Sequence, residues 1–264
     1  MAIASAPLIT KATNSHLYKY SAFTGERREW LKDIILNHRL YVPTLPQLRD
    51  PSDGRPKLSP LSEDAMFQFL YSSDIGILRR NPQMSLPEQI WHGMVLDFNL
   101  KKYGVDWCMR ECTHLLHKEF EDFRVYSLTK RFNNLSLWEN YAANHSGYCL
   151  EFASIGDFFT CAYEVTYGQL VAFDLLNRDH RSGYWFFCKK VDYQSEEEIR
   201  ILVPRRSTGV ISIDPNYLTR LILGKDMPED DRNVIREWAS HRTPQLKIVS
   251  ASWDAYEQDI HIQG

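Results

Sequence analysis

The sequence predicts an α+β fold: a single domain over residues 1–264, with a mixed or antiparallel sheet at its core. Three observations support this prediction. Short β-prone segments fill the second half of the chain, a block of helical patterns covers residues 58–122, and strand candidates precede that block. Because helices cluster early and strands cluster late, we expect the helical block to be inserted between the early strands and the main sheet.

The early part of the chain shows two strand patterns, one helix pattern and a proline-rich loop. Residues 16–20 and 40–42 are short and rich in aromatic or β-branched side chains, which is typical of strands. Residues 24–37 carry apolar side chains at the spacing of a helix. The segment 43–56 contains four prolines and predicts a long ordered loop, of a kind that is often functional.

The helical block contains start and stop signals. Ser85 and Glu88 have the spacing of a capping box, Gly104 suits the end of the helix that they begin, and Asp106 suits the start of another. In the second half we expect strands at 123–129, 147–152, 161–167, 197–204, 209–213, 218–223 and 245–250, and helices at 134–145, 170–188 and 228–240.

The composition is that of a folded globular protein. The chain is 44% hydrophobic with a net charge of −3, so it lacks the basic excess typical of nucleic-acid binding. Its 12 glycines form neither of the common phosphate-binding motifs. The apolar runs are too short for a membrane span, and the five scattered cysteines are typical of reduced thiols. We therefore expect a cytoplasmic protein that does not insert into a membrane.

The sharpest local pattern is the row Glu196, Glu198 and Arg200. Side chains alternate along a strand, so these three charges share one face and Ile199 and Ile201 share the other. One interpretation is a solvated sheet face with cross-strand ion pairs. The other is a cleft in which one glutamate stabilises positive charge on a reacting sugar carbon.

An aromatic stripe is the second pattern. On a helix, Trp138, Tyr141 and His145 fall within about 60° of one another. They form either an aromatic core stripe with a hydrogen-bonded histidine, or a pocket wall that stacks on a base or on a nicotinamide ring.

Two weaker patterns complete the set. Ser127 and Thr129 share a strand face and could donate hydroxyl groups into a cleft, with Lys130 and Arg131 at the strand end. The segment 108–117 contains two cysteines and two histidines, but one helix cannot arrange all four around a tetrahedral ion. We therefore expect no metal site.

Several motifs occur in a fixed order along most of the chain: Leu17-Tyr-Lys-Tyr20, Leu48-Arg-Asp-Pro-Ser-Asp53, Ser127-Leu-Thr129, Trp138-x-x-Tyr-Ala142, His145-x-Gly-x-Cys-x-Glu-Phe152, Glu196-x-Glu-x-Arg200 and Ile222-Leu-Gly224. By these motifs the chain resembles a widespread bacterial family of unknown function. Some members of that family are encoded beside abortive-infection and phage-defence genes. The resemblance implies a toxin or defence effector, with an antitoxin or another defence protein as its partner.

A more distant resemblance concerns the order Ser127-Leu-Thr129, a helix, and Glu196-Glu-Glu-Ile-Arg-Ile-Leu-Val-Pro-Arg205. This order is similar to the later half of arginine–serine–glutamate type ADP-ribosyltransferases. The resemblance implies an ADP-ribosyltransferase-like sheet, NAD as the substrate and no metal. On the first strand, where that family has an Arg or His that binds the cofactor, this chain has His16 and Lys19.

The same resemblance implies roles for individual residues. Glu198 would hold a hydroxyl of the nicotinamide ribose and stabilise the oxocarbenium ion, Glu196 would orient the acceptor nucleophile, and Ser127 would support Glu198. We expect the catalytic residues to be Glu198, Glu196 and His145, and the cofactor-binding residues to be Tyr18, Tyr20, Ser127, Thr129, Trp138, Tyr141 and Arg200.

Two other functions stay open. The chain could be a metal-independent nuclease or nucleotide-processing toxin, in which His145 is the general acid or base and Lys130, Arg131 and Arg200 grip phosphate. It could also be a non-catalytic module that binds or senses a nucleotide, in which the charges of the Glu196–Arg200 row neutralise one another. The macromolecular acceptor, a protein or a nucleic acid, is open as well.

Overall fold

In the computed structural model the described residues divide into two compact units. The first unit contains the described residues between 50 and 121 and between 172 and 186, and the second contains all the others. The description covers residues 9–48, 50, 53–55, 57–71, 85–121, 123–168, 172, 174, 176, 184–203, 208–254 and 259–263. The organisation into a single domain with a helical block stays a prediction.

The first unit is built mainly from helices and the second mainly from strands. The strands are β1 (His16–Ser21), β2 (Arg39–Tyr41), β3 (Arg124–Thr129), β4 (Tyr148–Ala153), β5 (Ala162–Glu164), β6 (Thr166–Tyr167), β7 (Cys188–Lys189), β8 (Glu198–Val203), β9 (Val210–Ser212), β10 (Leu218–Leu223), β11 (Lys247–Asp254) and β12 (Asp259–Gln263). The helices are α1 (Glu26–Asn37), α2 (Glu63–Tyr71), α3 (Leu86–Glu121), α4 (Leu135–Asn140), α5 (Gly156–Phe159) and α6 (Glu229–Ser240).

A sheet of eight strands forms the centre of the second unit, in the order β12-β11-β10-β4-β1-β3-β8-β5. Neighbouring strands are antiparallel, except that β10 and β11 are parallel. The predicted α+β class with a mixed sheet is therefore confirmed. Strands β1, β3 and β8 lie side by side, so the sheet brings together three segments that are distant in the sequence.

The two faces of this sheet carry different apolar clusters. Helices α1 and α6 contribute to the larger cluster, together with alternate residues of the strands, among them Ile199, Ile201 and Val203. The predicted apolar face of β8 is therefore confirmed. On the other face, α4 contributes Leu137 and Trp138 to a smaller cluster. Each fully buried apolar side chain of this kind stabilises the fold by roughly 2 kcal/mol.

Side-chain hydrogen bonds mark the starts of α2 and α3, and α3 breaks at Gly104, where the sequence predicts the end of a helix. The hydroxyl group of Ser62 accepts a hydrogen bond from the N–H of Ala65 at the start of α2. At the start of α3, the carboxylate of Glu88 accepts one from the N–H of Ser85 at 2.7 Å. Within α3 the backbone leaves helical geometry at Gly104, where φ is 77°. Over the part of the chain that the structure describes, no helix has the length and apolar character needed to cross a lipid bilayer.

Helix α4 is shorter than predicted. It ends at Asn140, so the predicted helix over 134–145 is wrong beyond that residue. Ala143, Asn144 and His145 follow with left-handed φ values of 48°, 50° and 66°, and this run turns the chain back into β4. The strand predicted over 161–167 is interrupted at Val165, between β5 and β6.

Two other segments differ from the sequence prediction, and a third is described only in part. The sequence does not predict β12, which pairs with β11. The helix predicted over 170–188 is wrong at its end, where Tyr184–Phe187 form a 3-10 turn and β7 follows; most of its remainder lies outside the described residues. Of the loop 43–56, Leu45–Gln47 form a 3-10 turn, and residues 49, 51, 52 and 56 lie outside the described part.

The close approach of two backbone segments at Gly224 yields a stability prediction. A Cβ atom there would overlap the carbonyl groups of His145 and Gly147, and backbone atoms cannot move aside as a flexible side chain would. We expect Gly224→Ala to lower the free energy of unfolding in urea by about 2 kcal/mol, the usual cost of overpacking. The matched control is Gly168→Ala, whose Cβ would meet no described atom within 4 Å. Equal losses in the two variants would contradict the prediction.

Candidate functional site

Glu196 and Glu198 reach the same site through a turn of the backbone. Glu196 ends a 3-10 turn (Val191–Glu196), Glu197 has a left-handed φ of 45°, and β8 begins at Glu198. The predicted strand row is therefore wrong at Glu196, which precedes the strand. It is right for Glu198 and Arg200, which alternate with the buried Ile199.

A bidentate ion pair joins Glu198 and Arg200. The Nε atom of Arg200 is 2.8 Å from Oε1 of Glu198, and its Nη2 atom is 2.9 Å from Oε2. Arg200 is 0% exposed and Glu198 is 6% exposed. The interpretation of this row as a solvated sheet face is therefore wrong. Because water is excluded from both charges, protein groups have to compensate them.

Lys189 connects the two glutamates. Its Nζ atom is 2.6 Å from Oε2 of Glu196 and 3.1 Å from Oε2 of Glu198. The hydroxyl group of Tyr141 donates a hydrogen bond to the other carboxylate oxygen of Glu196, at 2.8 Å. We call Lys189, Glu196, Glu198 and Arg200 the charged cluster. Its two positive and two negative formal charges cancel, which offsets part of the cost of burying them.

The charged cluster keeps Glu198 ionised. Burial by itself raises the pKa of this carboxyl group, but the charges of Arg200 and Lys189, with hydrogen bonds from Arg200 and Ser127, hold the pKa at about 2. Burial lowers the pKa of Lys189, and Glu198 and Glu196 more than offset this, so that pKa lies above its ordinary value. At neutral pH Glu198 is an anion that can stabilise a developing positive charge, but it is a poor general acid.

Neighbouring segments fix the backbone of both glutamates. The hydroxyl group of Thr129 donates to the carbonyl oxygen of Glu196 at 2.8 Å. The N–H of Glu198 donates to the hydroxyl oxygen of Tyr167 at 2.6 Å. Thr129 and Glu198 are also direct partners in the pairing of β3 with β8. The carboxylate of Glu198 therefore has little freedom to move relative to the sheet.

Tyr18 belongs to the same cross-strand row as Glu198. It lies opposite Thr129, which lies opposite Glu198, and on its other side it lies opposite Glu151. Its hydroxyl group hydrogen bonds to Glu151, and burial together with that carboxylate raises the pKa of Tyr18 to about 12. Arg220 completes the row, with Nε 3.1 Å from Oε2 of Glu151. A line of polar side chains thus crosses five adjacent strands.

Tyr20 and Trp138 are enclosed in the smaller apolar cluster. The hydroxyl group of Tyr20 donates to the carbonyl oxygen of Arg131 at 2.9 Å, and burial raises its pKa. The indole N–H of Trp138 donates to the carbonyl oxygen of Phe132 at 2.7 Å. Trp138 is 0% exposed, so its ring packs in the core and cannot stack on a ligand in this conformation.

His145 lies at the end of the turn that follows α4. Its ring stacks on Trp138, with 6.2 Å between the centroids. Burial lowers the pKa of His145 and nearby Lys225 lowers it further, against the opposing effects of Asp226 and Glu139. The charged groups that act on this imidazole are thus located at the end of α4 and after β10.

The three cations that a nuclease would need to bind phosphate each form an ion pair with a glutamate. Lys130 is 2.9 Å from Glu164, and Arg131 is 2.6 Å from Glu197. Arg200 is held by Glu198 inside the charged cluster. Over the described residues, the structure does not bring His145 into contact with any of these three cations.

Lys19 lies on the opposite face of the sheet from the charged cluster. Its Nζ atom donates to the carbonyl oxygen of Ser127 at 2.8 Å and lies 5.0 Å from the centroid of the Tyr126 ring. Burial lowers the pKa of Lys19 to about 8. This lysine therefore belongs to the boundary of the larger apolar cluster, not to the polar row.

Sequence reasoning missed four polar residues of this region: Lys189, Tyr167, Glu151 and Arg220. Glu151 carries a usable signal, because it is a single charge within a run of apolar and aromatic residues, whereas Lys189 is followed directly by Lys190 and does not stand out. A charge in such a run is often buried, and it then needs a partner of opposite sign. Tyr167 carries no comparable signal, because its role depends on the 3-10 turn that precedes β8.

The described residues offer no metal centre. Among them, no group of three or more His, Cys, Asp or Glu side chains is arranged to hold an ion. The five cysteines are free thiols.

Comparisons with known proteins leave the function to be argued from the site. No protein-family model matches the chain, and no curated protein or solved structure matches it.

Substituting Arg200 tests whether the buried positive and negative charges of the charged cluster stabilise one another. Arg200→Met deletes both hydrogen bonds to Glu198 and leaves an uncompensated buried anion, so we expect a loss of about 4 kcal/mol in urea denaturation. Arg131→Met removes an exposed ion pair with Glu197 and should cost less than about 1 kcal/mol. The double variant Glu198→Leu/Arg200→Met should be more stable than Arg200→Met, because the remaining charges cancel. A double variant that is less stable would contradict this account.

The depressed pKa of Glu198 predicts how stability responds to acid. The carboxyl group titrates near 4.5 when it is unperturbed and at about 2 in the folded protein. Its contribution to stability is therefore fully present above about pH 4.5 and is lost as the pH falls towards 2. Urea denaturation across this range should show a smaller decrease for Glu198→Gln than for the wild type. Identical decreases would contradict the prediction.

Proposed function

We propose that the charged cluster is the active centre of an enzyme that consumes NAD, either an ADP-ribosyltransferase or an NAD glycohydrolase. One observation carries the proposal: Glu198 is a buried carboxylate that stays ionised, held by Arg200 and Ser127 and aligned with Tyr18 across three strands. In this reaction Glu198 holds a hydroxyl of the nicotinamide ribose and stabilises the oxocarbenium ion that forms as nicotinamide leaves.

The ionisation of Glu198 suits this reaction better than ordinary glycoside hydrolysis. A glycosidase usually needs a carboxylic acid of raised pKa that protonates the leaving oxygen. Nicotinamide leaves NAD as a neutral molecule and needs no proton, so the reaction requires only an anion beside the positively charged sugar. A carboxyl group with a pKa of about 2 supplies this anion over the whole physiological range.

The groups around Glu198 support the same proposal. Arg200 and Lys189 hold the carboxylate in one orientation before a substrate binds, which avoids a cost of reorganisation during the reaction. Glu196 accepts hydrogen bonds from Lys189 and Tyr141, and Lys189 also contacts Glu198. The carboxylate of Glu196 is therefore held near that of Glu198, where it can orient an acceptor nucleophile. Because Arg200 and Lys189 also partly neutralise Glu198, the substrate has to compete for its oxygens.

A second candidate is a non-catalytic module that binds or senses a nucleotide. The observation that favours it is the cancellation of charge within the charged cluster, which the binding hypothesis expects of a structural ion-pair network. In this case the partly exposed Tyr18 and Ser127 are the groups that contact the ligand.

The resemblance in the motifs supports a role in the cell. We propose that the protein acts in the cytoplasm as a toxin or phage-defence effector, transfers ADP-ribose to a macromolecule or to water, and is restrained by an antitoxin or another defence partner. The free state of its five cysteines agrees with a reducing compartment.

Incubation of the pure protein with NAD, with and without a bacterial lysate, tests the proposal by measuring released nicotinamide. We expect release by the wild type and a decrease of roughly 100-fold or more in Glu198→Gln, the usual effect of removing a preorganised stabilising group. Glu164→Gln is the matched control, since Glu164 lies on β5, the strand next to β8, and forms a partly exposed ion pair with Lys130. It should keep full activity.

A third variant protects this test against loss of folding in Glu198→Gln. Ser127→Ala keeps every charge and removes one hydrogen bond to Glu198, and it should lower nicotinamide release by about tenfold. No release by the folded wild type, or undiminished release by both variants, would refute the enzymatic proposal. An NAD-dependent rise in melting temperature without release would support the binding module instead.

A further inference from the structure

Helix α3 of the first unit carries several large apolar side chains on its surface. Ile90, Trp91, Met94 and Phe98 are each between 56% and 67% exposed. At about 100° per residue, these four side chains fall within about 100° of one another on the helix, all before its break at Gly104. We call these four residues the α3 stripe. The proposed reaction uses none of them.

The α3 stripe is separate from the face by which this helix packs on its own chain. Helix α2 packs against α3, and Gly93 and Leu100 of α3 are buried. These two residues lie about 120° or more round the helix from the centre of the stripe. The helix thus has one face packed within the first unit and another apolar face that is exposed.

The exposed apolar area is large enough to form an interface. Four large side chains that are each more than half exposed present on the order of 400 Å². Apolar patches of this size are among the largest on monomeric proteins, and they often mark an interaction site. Two such stripes in contact bury about 800 Å², and the polar residues beside them bring the total to about 1,000 Å², the lower limit for a specific interface.

The charges beside the α3 stripe complement an antiparallel copy of the same helix. Glu88 and Lys102 are exposed and lie on the same side of the stripe, about 100° and 65° from its centre. The Nζ atom of Lys102 lies 5.4 Å from the centroid of the Phe98 ring, beside the stripe.

The positions of these two charges along the helix agree with a twofold axis. In an antiparallel pair of identical helices, residues on the same side meet when their positions are symmetric about the centre of the contact. The midpoint of Glu88 and Lys102 is position 95, and the α3 stripe, which spans 90–98, is centred at Met94. Contact between two stripes therefore places Glu88 of each copy opposite Lys102 of the other.

We infer that the α3 stripe is the interface of a homodimer, in which two copies of α3 pack antiparallel about a twofold axis. The two Met94 side chains meet near the axis, and Ile90 of each copy packs near Phe98 of the other. The two Glu88–Lys102 pairs lie at the ends of the contact, where polar residues surround an apolar centre. The dimer requires neither NAD nor the charged cluster.

Sedimentation equilibrium of the full chain tests this inference. We expect the wild type to dimerise with a dissociation constant on the order of 10 μM, as is typical of a small interface. Met94→Asp puts a charge into the centre of the apolar contact and should raise this constant by about 100-fold or more. A wild type that stays monomeric up to about 100 μM, or a dimer that Met94→Asp leaves intact, would overturn the inference.

Charge reversal tests the antiparallel arrangement. Lys102→Glu places like charges opposite one another at both ends and should raise the dissociation constant by about tenfold or more. The double variant Glu88→Lys/Lys102→Glu exchanges the two charges and should return the constant to within about threefold of the wild type.

Lys118→Glu is the matched control for charge reversal. Lys118 is an exposed lysine of α3 beyond the break at Gly104, so this variant should dimerise like the wild type. The reversed positions 88 and 102 are exposed as well, and circular dichroism of every variant should match that of the wild type. A double variant that dimerises no better than Lys102→Glu would overturn the inference.

A lipid surface is another occupant that an amphipathic helix fits. Flotation with vesicles of phosphatidylcholine and phosphatidylglycerol separates it from a second copy. We expect the dimeric wild type to stay unbound, because its stripe is covered. Vesicle binding by a wild type that does not dimerise, and its loss in Met94→Asp, would assign the α3 stripe to a membrane surface and overturn the inference.

Discussion

The ion pair between Glu198 and Arg200 is buried on one face of the sheet, and the surrounding residues supply the charges and hydrogen bonds that compensate it. Both partners are buried, so each would be strongly destabilising alone. Lys189 and Glu196 add a second pair, and Lys189 links it to the first by also contacting Glu198. The 3-10 turn and the left-handed Glu197 that precede β8 are the backbone geometry that brings Glu196 back beside Glu198. Strand pairing with β3 then supplies Ser127 and Thr129.

This arrangement connects stability and chemistry through one carboxyl group. The charges that make burial of Glu198 tolerable also hold its pKa at about 2, and so fix it as an anion at neutral pH. The same charges limit how much of its negative potential reaches a substrate. The proposed reaction depends on this balance, because the oxocarbenium ion interacts with the part of the carboxylate charge that Arg200 and Lys189 leave uncompensated.

Sequence patterns within a few residues predicted many of the strands, but fewer of the contacts in the candidate site. The strands β1, β3, β4, β8 and β10 could be predicted because alternation and β-propensity act within a few residues. The early end of α4 could not, since the left-handed run at Ala143, Asn144 and His145 contains no glycine and depends on packing against Gly147 and Gly224. Lys189 was missed for a similar reason: of its partners, Glu196 ends a 3-10 turn and Glu198 follows that turn, whose geometry has no local sequence signal.

The sequence by itself determined the α+β class, the apolar face of β8 and the presence of two carboxylates beside an arginine on the other side of that segment. Tertiary structure alone decided that these charges are buried, that Lys189 joins them and that Trp138 is enclosed in the core while Tyr18 stays partly exposed. The physical reason is that burial and ionisation depend on distances between segments remote in the chain. Composition and periodicity report only on neighbours within a few residues.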